Sequence, residues 1–82
     1  MVRAFVLCSL GTGEYLGLME IVREKIESLP EVIRAYNIFG RYDVIAEVET
    51  KDLKELSRLV ADKIRTIQGV VSTETFICYP ME

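Results

Sequence analysis

Tyr36-Asn37-Ile38-Phe39-Gly40-Arg41-Tyr42-Asp43-Val44-Ile45 is the stretch that decides the fold of this chain. A β-branched and aromatic run meets Gly40-Arg41 and a second such run follows at once, the pattern of two antiparallel strands joined by a tight turn. Two turn residues with glycine leading predict the type II′ form, because glycine takes a positive φ at the first central position without a Cβ clash. Phe39 and Tyr42 are then expected to face each other across the turn as an aromatic pair. Asp43 is a lone carboxylate just inside an otherwise apolar strand.

Towards the N-terminus, Arg3 to Leu10 reads as a strand that is apolar on both alternating faces. Ala4, Val6 and Cys8 lie on one and Phe5 and Leu7 on the other, as in a central strand covered from both sides. Gly11-Thr12-Gly13 breaks it, with Thr12 as helix N-cap and Glu14 placed to favour the helix dipole. Tyr15, Leu18, Met19, Val22, Ile26 and Leu29 recur at helical spacing as one apolar stripe. Leu29-Pro30 ends that helix, since the residue before proline is pushed out of the α region.

Val32 to Phe39 is the second strand, with Arg34 and Asn37 pointing to an edge position, and Tyr42 to Glu49 is the third. On the third, Tyr42, Val44, Ala46 and Val48 make a uniformly apolar face, and Asp43, Ile45, Glu47 and Glu49 a mixed one. Thr50 or Asp52 caps a second helix, and Asp52 with Glu55 has capping-box spacing. Leu53, Leu56, Val60, Ile64 and Ile67 form its stripe, and Gly69 is its stop. Val70 to Tyr79 is the fourth strand, closed by Pro80.

The order is β-α-β-β-α-β. Right-handed crossovers put both helices on one face of a four-stranded antiparallel sheet, the α+β ferredoxin-like arrangement, with the first and third strands central. The 82 residues make one domain, residues 1–82, with one core. The other sheet face has no helix over it, although the first strand is apolar there too, so a second copy of the sheet is its natural cover. Composition agrees. Half of the residues are hydrophobic and mean hydropathy is positive, more apolar material than a domain burying roughly 60–65% of its surface can hide. At least a homodimer is expected, through Phe5, Leu7 and Ile45.

Several functions are disfavoured. The formal net charge is −3 with acidic and basic residues interspersed, so no basic stripe is present to neutralise a phosphate backbone. The apolar runs fall well short of the ~20 residues that span a bilayer, and no signal peptide precedes the first strand. Cys8 and Cys78 lie in apolar strand-like runs and make no disulfide framework, so reduced core thiols in a cytoplasmic protein are expected. No histidine is present, which removes the commonest base and metal ligand. Gly11 to Gly17 resembles a nucleotide-binding glycine loop, but the second strand turns back by a hairpin and carries no terminal acid for a ribose. No enzyme, metal or cofactor is expected.

The polar residues of the hairpin and the last strand say more. Gly40-Arg41-Tyr42-Asp43 and then Gly69-Val70-Val71-Ser72-Thr73-Glu74-Thr75-Phe76-Ile77 carry the patterns G-x-Y-D and G-V-x-x-T-x-T-x-I. In this βαββαβ frame the chain resembles, over its whole length, the effector-binding (RAM) domain of the Lrp/AsnC feast/famine transcription regulators. The resemblance implies binding of a small amino acid by dimers that assemble further, often to octamers. The family's N-terminal helix-turn-helix is missing from these residues, so the chain resembles the stand-alone RAM proteins. An effect on transcription is then expected to pass through a DNA-binding Lrp/AsnC relative.

The residues suit that ligand. Asp43 can accept from an ammonium, and backbone N–H groups near Gly40 and Arg41 can donate to a carboxylate. Thr73 and Thr75 share one strand face, and their hydroxyls both donate and accept. Gly40, Arg41, Tyr42, Asp43, Thr73 and Thr75 are therefore the candidate site. The same residues also suit a turn carboxylate and two β-branched strand formers with no ligand. The rival functions are a ligand-free oligomerisation module of the same fold and, less in keeping with the missing histidine, a small enzyme of the dimeric α/β-barrel type. With a net charge of −3 and no recognition helix, the isolated chain is expected to leave duplex DNA unshifted in a gel titration at physiological salt. Micromolar, salt-sensitive binding would contradict that surface reading.

Overall fold

Strand β1 (Val2–Leu10) occupies the middle of the sheet. In this computed structural model, which describes residues 1–11 and 15–80, it is followed by α1 (Tyr15–Glu27), β2 (Val32–Asn37), β3 (Val44–Thr50), α2 (Leu53–Arg58) and β4 (Val70–Ile77). The sheet order is β2-β3-β1-β4, with every neighbouring pair antiparallel. The βαββαβ ferredoxin-like fold is thus as expected, with β1 and β3 central. The Thr12 cap and Glu14 lie outside the described residues, as do the side chain of Tyr15 and part of the Gly11–Gly17 stretch.

The two faces of β1 differ as its alternation requires. Ala4, Val6 and Cys8 are fully buried, and so are their β3 partners Val48, Ala46 and Val44. Val22 and Ile26 from α1 and Leu56, Leu59 and Ile64 from the second helical segment close over this face as one core. On the other face, Phe5 pairs with Glu47 and Phe76, and Leu7 with Ile45 and Glu74. No helix covers these residues. Phe76 and Tyr36, which pairs with Ile45, stand 52% and 56% exposed there. Neither was among the expected dimer contacts, because each sits on an edge strand that reads as less buried. Beside this apolar band Arg3 bridges Glu47 and Glu49 at 2.8 and 2.9 Å.

Both helix ends obey their local chemistry. Ser28 and Leu29 N–H bond back to Glu24 and Ile26 carbonyls, and Pro30 then stops α1. Asp52, not Thr50, caps α2, its carboxylate accepting from Glu55 N–H at 2.8 Å. Beyond Arg58 the helix widens into π-helical turns over Leu59–Ile64. That widening puts Leu59, absent from the expected stripe, wholly into the core beside Ile64, while Leu53 at the start stays 49% exposed.

The hairpin departs from expectation. Asn37 and Val44 are the last paired residues, so 38–43 is a loop and not a two-residue turn, and the strands end short of Phe39 and Tyr42. The reason is Asp43. It is 9% exposed, and a buried carboxylate must be bonded. Its Oδ2 accepts from Leu10 N–H at 2.8 Å, and its own N–H donates to the Cys8 carbonyl at 2.8 Å. Both bonds draw Asp43 towards β1 and open the turn. Phe39 is left 81% exposed and Tyr42 hydrogen-bonds Glu74 on β4, so the two rings do not form a pair.

Cys8 is buried and free, as expected; Cys78 is free but only half-buried, beyond the end of β4, not in the core. Burial pushes the Cys8 thiol up to about 11, which leaves it protonated and unreactive at neutral pH. A thiol reagent should therefore modify Cys78 alone in the native protein and both cysteines after denaturation. Two fast-reacting native thiols would contradict the packing of β1.

Candidate ligand-binding site

The 38–43 loop is shaped by a small number of groups. Ile38 N–H donates to the Asp43 carbonyl at 2.9 Å and closes the loop at its base. Gly40 has φ of +140°, a conformation that side chains with a Cβ rarely adopt. Among the described residues, Gly40 and Arg41 make no hydrogen bond or ion pair, so their amides and the guanidinium face outward unspent. Tyr42 lies across the open sheet face to reach Glu74, and that carboxylate raises the phenol above its ordinary range. Asp43 fixes the whole loop to β1 through Leu10.

A cavity of about 430 Å³ adjoins the loop, lined by Gly17, Met19 and Glu20 of α1 with Asn37 and Phe39. Asn37 Oδ1 is shut off from solvent and has no hydrogen-bond partner among the described residues. A buried acceptor without a donor costs about 1–3 kcal/mol, a cost that an arriving N–H group removes. Glu20 and Asn37 escaped the sequence reading, since a carboxylate on a helix reads as solvated and Asn37 read only as an edge-strand marker.

Thr73 and Thr75 do share one face of β4, but they lie apart from the loop. Thr73 pairs with Cys8, whose other neighbour is Val44. Two strand spacings, about 10 Å, therefore separate Thr73 from the end of the hairpin. Thr75 sits two pairs further along, opposite Val6, and lines a second groove of about 390 Å³ between α2 and β4. Within one chain, then, Gly40, Arg41, Tyr42 and Asp43 form one cluster, and Thr73 and Thr75 stand outside it. Among the described residues no cluster of acids and thiols is arranged to hold a metal ion.

Comparison with known proteins identifies the family of the chain. The model of the Lrp/AsnC ligand binding domain matches residues 4–80. The HTH-type transcriptional regulator FL11 of Pyrococcus furiosus is 32% identical over 74 residues, 90% of this chain and 46% of the regulator. The Regulatory protein AsnC of Haemophilus influenzae is 41% identical over 58 residues, 71% of this chain and 39% of its own length. The chain thus spans less than half the length of these curated relatives. Among solved structures, TTHA0845 of Thermus thermophilus superposes with a TM-score of 0.87 at 33% identity, covering 100% of this chain and 98% of that one. Escherichia coli AsnC superposes at 0.85 with 30% identity, covering 99% of this chain and 54% of that one. The two curated relatives are named as regulators, not enzymes, and this chain belongs to the Lrp/AsnC family, with residues 4–80 matching its ligand-binding domain.

Proposed function

We propose that this domain senses a small amino acid at a subunit interface of a homo-oligomer. The observation that carries the reading is the loop and its cavity together: Gly40 and Arg41 keep unspent donors in the loop whose Phe39 lines a cavity with the acceptors Glu20 and Asn37. A zwitterion needs donors and acceptors a few ångströms apart, and charge-assisted bonds to both ends are the strong ones. The ligand's carboxylate lies on the loop amides and its ammonium on Asp43, the carboxylate of the same loop. Thr73 or Thr75 contributes hydroxyls from a neighbouring subunit, because one chain does not bring those threonines to the loop.

The homo-oligomer is supported by the open sheet face. Phe5, Leu7, Ile45, Phe76 and Tyr36 lie there as one apolar band, and bands of this kind mark association surfaces. Regulation of transcription runs through a DNA-binding relative of the same family that shares the assembly. No helix of the described residues is long and apolar enough to cross a membrane, and the relatives' role in transcription supports a cytoplasmic place.

Light scattering at micromolar concentration should return a mass of two or more chains, and Phe5→Asp should reduce it. A clean monomer would remove the sheet-face argument. For the ligand, a thermal-shift screen of the common amino acids should find at least one that stabilises, by ~2.7 kcal/mol at a hundred times its Kd. Asp43→Asn should weaken that ligand at least about tenfold, the loss of one hydrogen bond to a charged group. Gly40→Ala, strained by φ of +140° but meeting open space, should weaken it without touching Asp43. Equal affinities in wild type and both variants would move the site away from the loop, and no response to any amino acid would favour a ligand-free assembly module.

A further inference from the structure

The groove between α2 and β4 is a site of a different chemistry from the loop. Its volume is about 390 Å³, inside the range of small-molecule pockets. Leu53, Leu56, Val60 and Ile77 make its walls apolar, and Leu53 and Ile77 are about half exposed along it, at 49% and 48%. Three polar side chains enter this apolar lining: Ser57, Arg65 and Thr75. Among the described residues none of the three has a side-chain hydrogen bond or ion pair, although four other Lys and Arg side chains are paired with acids.

The helix is also irregular at this place. Arg65 N–H bonds the Val60 carbonyl at 2.9 Å, an i→i−5 bond that belongs to the π-helical turns of Leu59–Ile64. Such turns are rare and are found frequently at functional sites. Here the wider turn brings Ser57, Ala61 and Arg65 onto one wall of the groove, with Thr75 and Ile77 of the edge strand forming the other. No carboxylate is among the lining residues. The groove therefore offers a cation, two hydroxyls and an apolar wall, and no carboxylate to pair with an ammonium.

We propose that this groove binds a small monocarboxylate with an aliphatic tail, its acid group held by Arg65 with Ser57 and Thr75 and its tail laid on Leu53, Leu56, Val60 and Ile77. Guanidinium is the side chain best suited to a carboxylate, which it can bind through two parallel N–H bonds. Because the groove holds no carboxylate to pair with an ammonium, a branched 2-oxo acid binds it at least as well as the corresponding amino acid. The inference goes beyond the amino-acid site at the loop. It gives Thr75 a ligand within its own chain and leaves Thr73 to the neighbouring subunit.

Amide NMR titrations of the full chain with ketoisocaproate, isovalerate, leucine and isoamylamine test it. Ketoisocaproate and isovalerate should saturate shifts at Ser57, Ala61 and Thr75 and leave Gly40 and Arg41 unmoved, while isoamylamine should do neither. Arg65→Gln should weaken both carboxylates at least about tenfold, Thr75→Val should weaken them less, and Asp43→Asn should leave them unchanged. No carboxylate-induced shifts at the groove, equal affinity in Arg65→Gln, or equal binding of isoamylamine would each overturn the proposal. The two sites fail separately: no groove shifts with either carboxylate, while an amino acid shifts Gly40 and Arg41 with Asp43 dependence, would sink the groove and spare the loop. Groove shifts with the carboxylates, and no loop shifts with any amino acid, would do the reverse.

Discussion

A central strand that is apolar on both faces must be covered twice. One face of β1, Ala4, Val6 and Cys8, is covered within the chain by two helices, and among the described residues no helix does the same for Phe5 and Leu7. The fold can bury the first face at about 25 cal/mol per Å² of apolar surface removed from water. In the proposed homo-oligomer the second face gains that stabilisation from another copy, and the Arg3 bridges to Glu47 and Glu49 flank the apolar band with polar partners already satisfied within the chain.

Periodicity made this much legible from the residues. Alternation along β1 and β3, helical spacing in the two stripes and the punctuation at Pro30 and Gly69 point to one βαββαβ frame, and each local preference agrees with the others. The hairpin escaped because turn propensity is local and Asp43 is not. Gly40-Arg41 suits a two-residue turn, but a bond from Leu10, far back in the sequence, fixes where Asp43 goes. Tertiary satisfaction of a buried carboxylate outweighs a turn preference. The π-helical turns escaped for a similar reason: a stripe drawn at helical spacing selects Val60 and passes over Leu59, which the widened turn places in the core.

The sites were legible in a different measure. The motif residues Gly40 to Asp43 do gather in one loop, and Thr73 and Thr75 do share a face, as period-two alternation dictates. Alternation cannot say which face faces the helices. The register with β1 settles it: Thr73 and Thr75 oppose Cys8 and Val6 and so stand on the helix side, away from the open sheet. Ser57 and Arg65 gave no signal, because a serine and an arginine on the polar side of an amphipathic stripe read as solvated surface. Only the unpaired state of both within an apolar groove separates them from other surface charges.

The proposed ligand site and the proposed assembly surface are linked in this geometry. The 38–43 loop is tied to β1 through Asp43 and Leu10 and to β4 through Tyr42 and Glu74, and Glu74 pairs directly with Leu7 on the open face. A ligand that shifts the loop therefore acts on groups lying beside the apolar band that a second copy covers. If the ligand prefers one oligomer, mass action requires that it draw the chains into that oligomer, and that assembly raise the ligand's affinity by the same factor. The loop is placed to carry such a coupling because the same residues that tie it to β1 and β4, Asp43 and Tyr42, adjoin the sheet face.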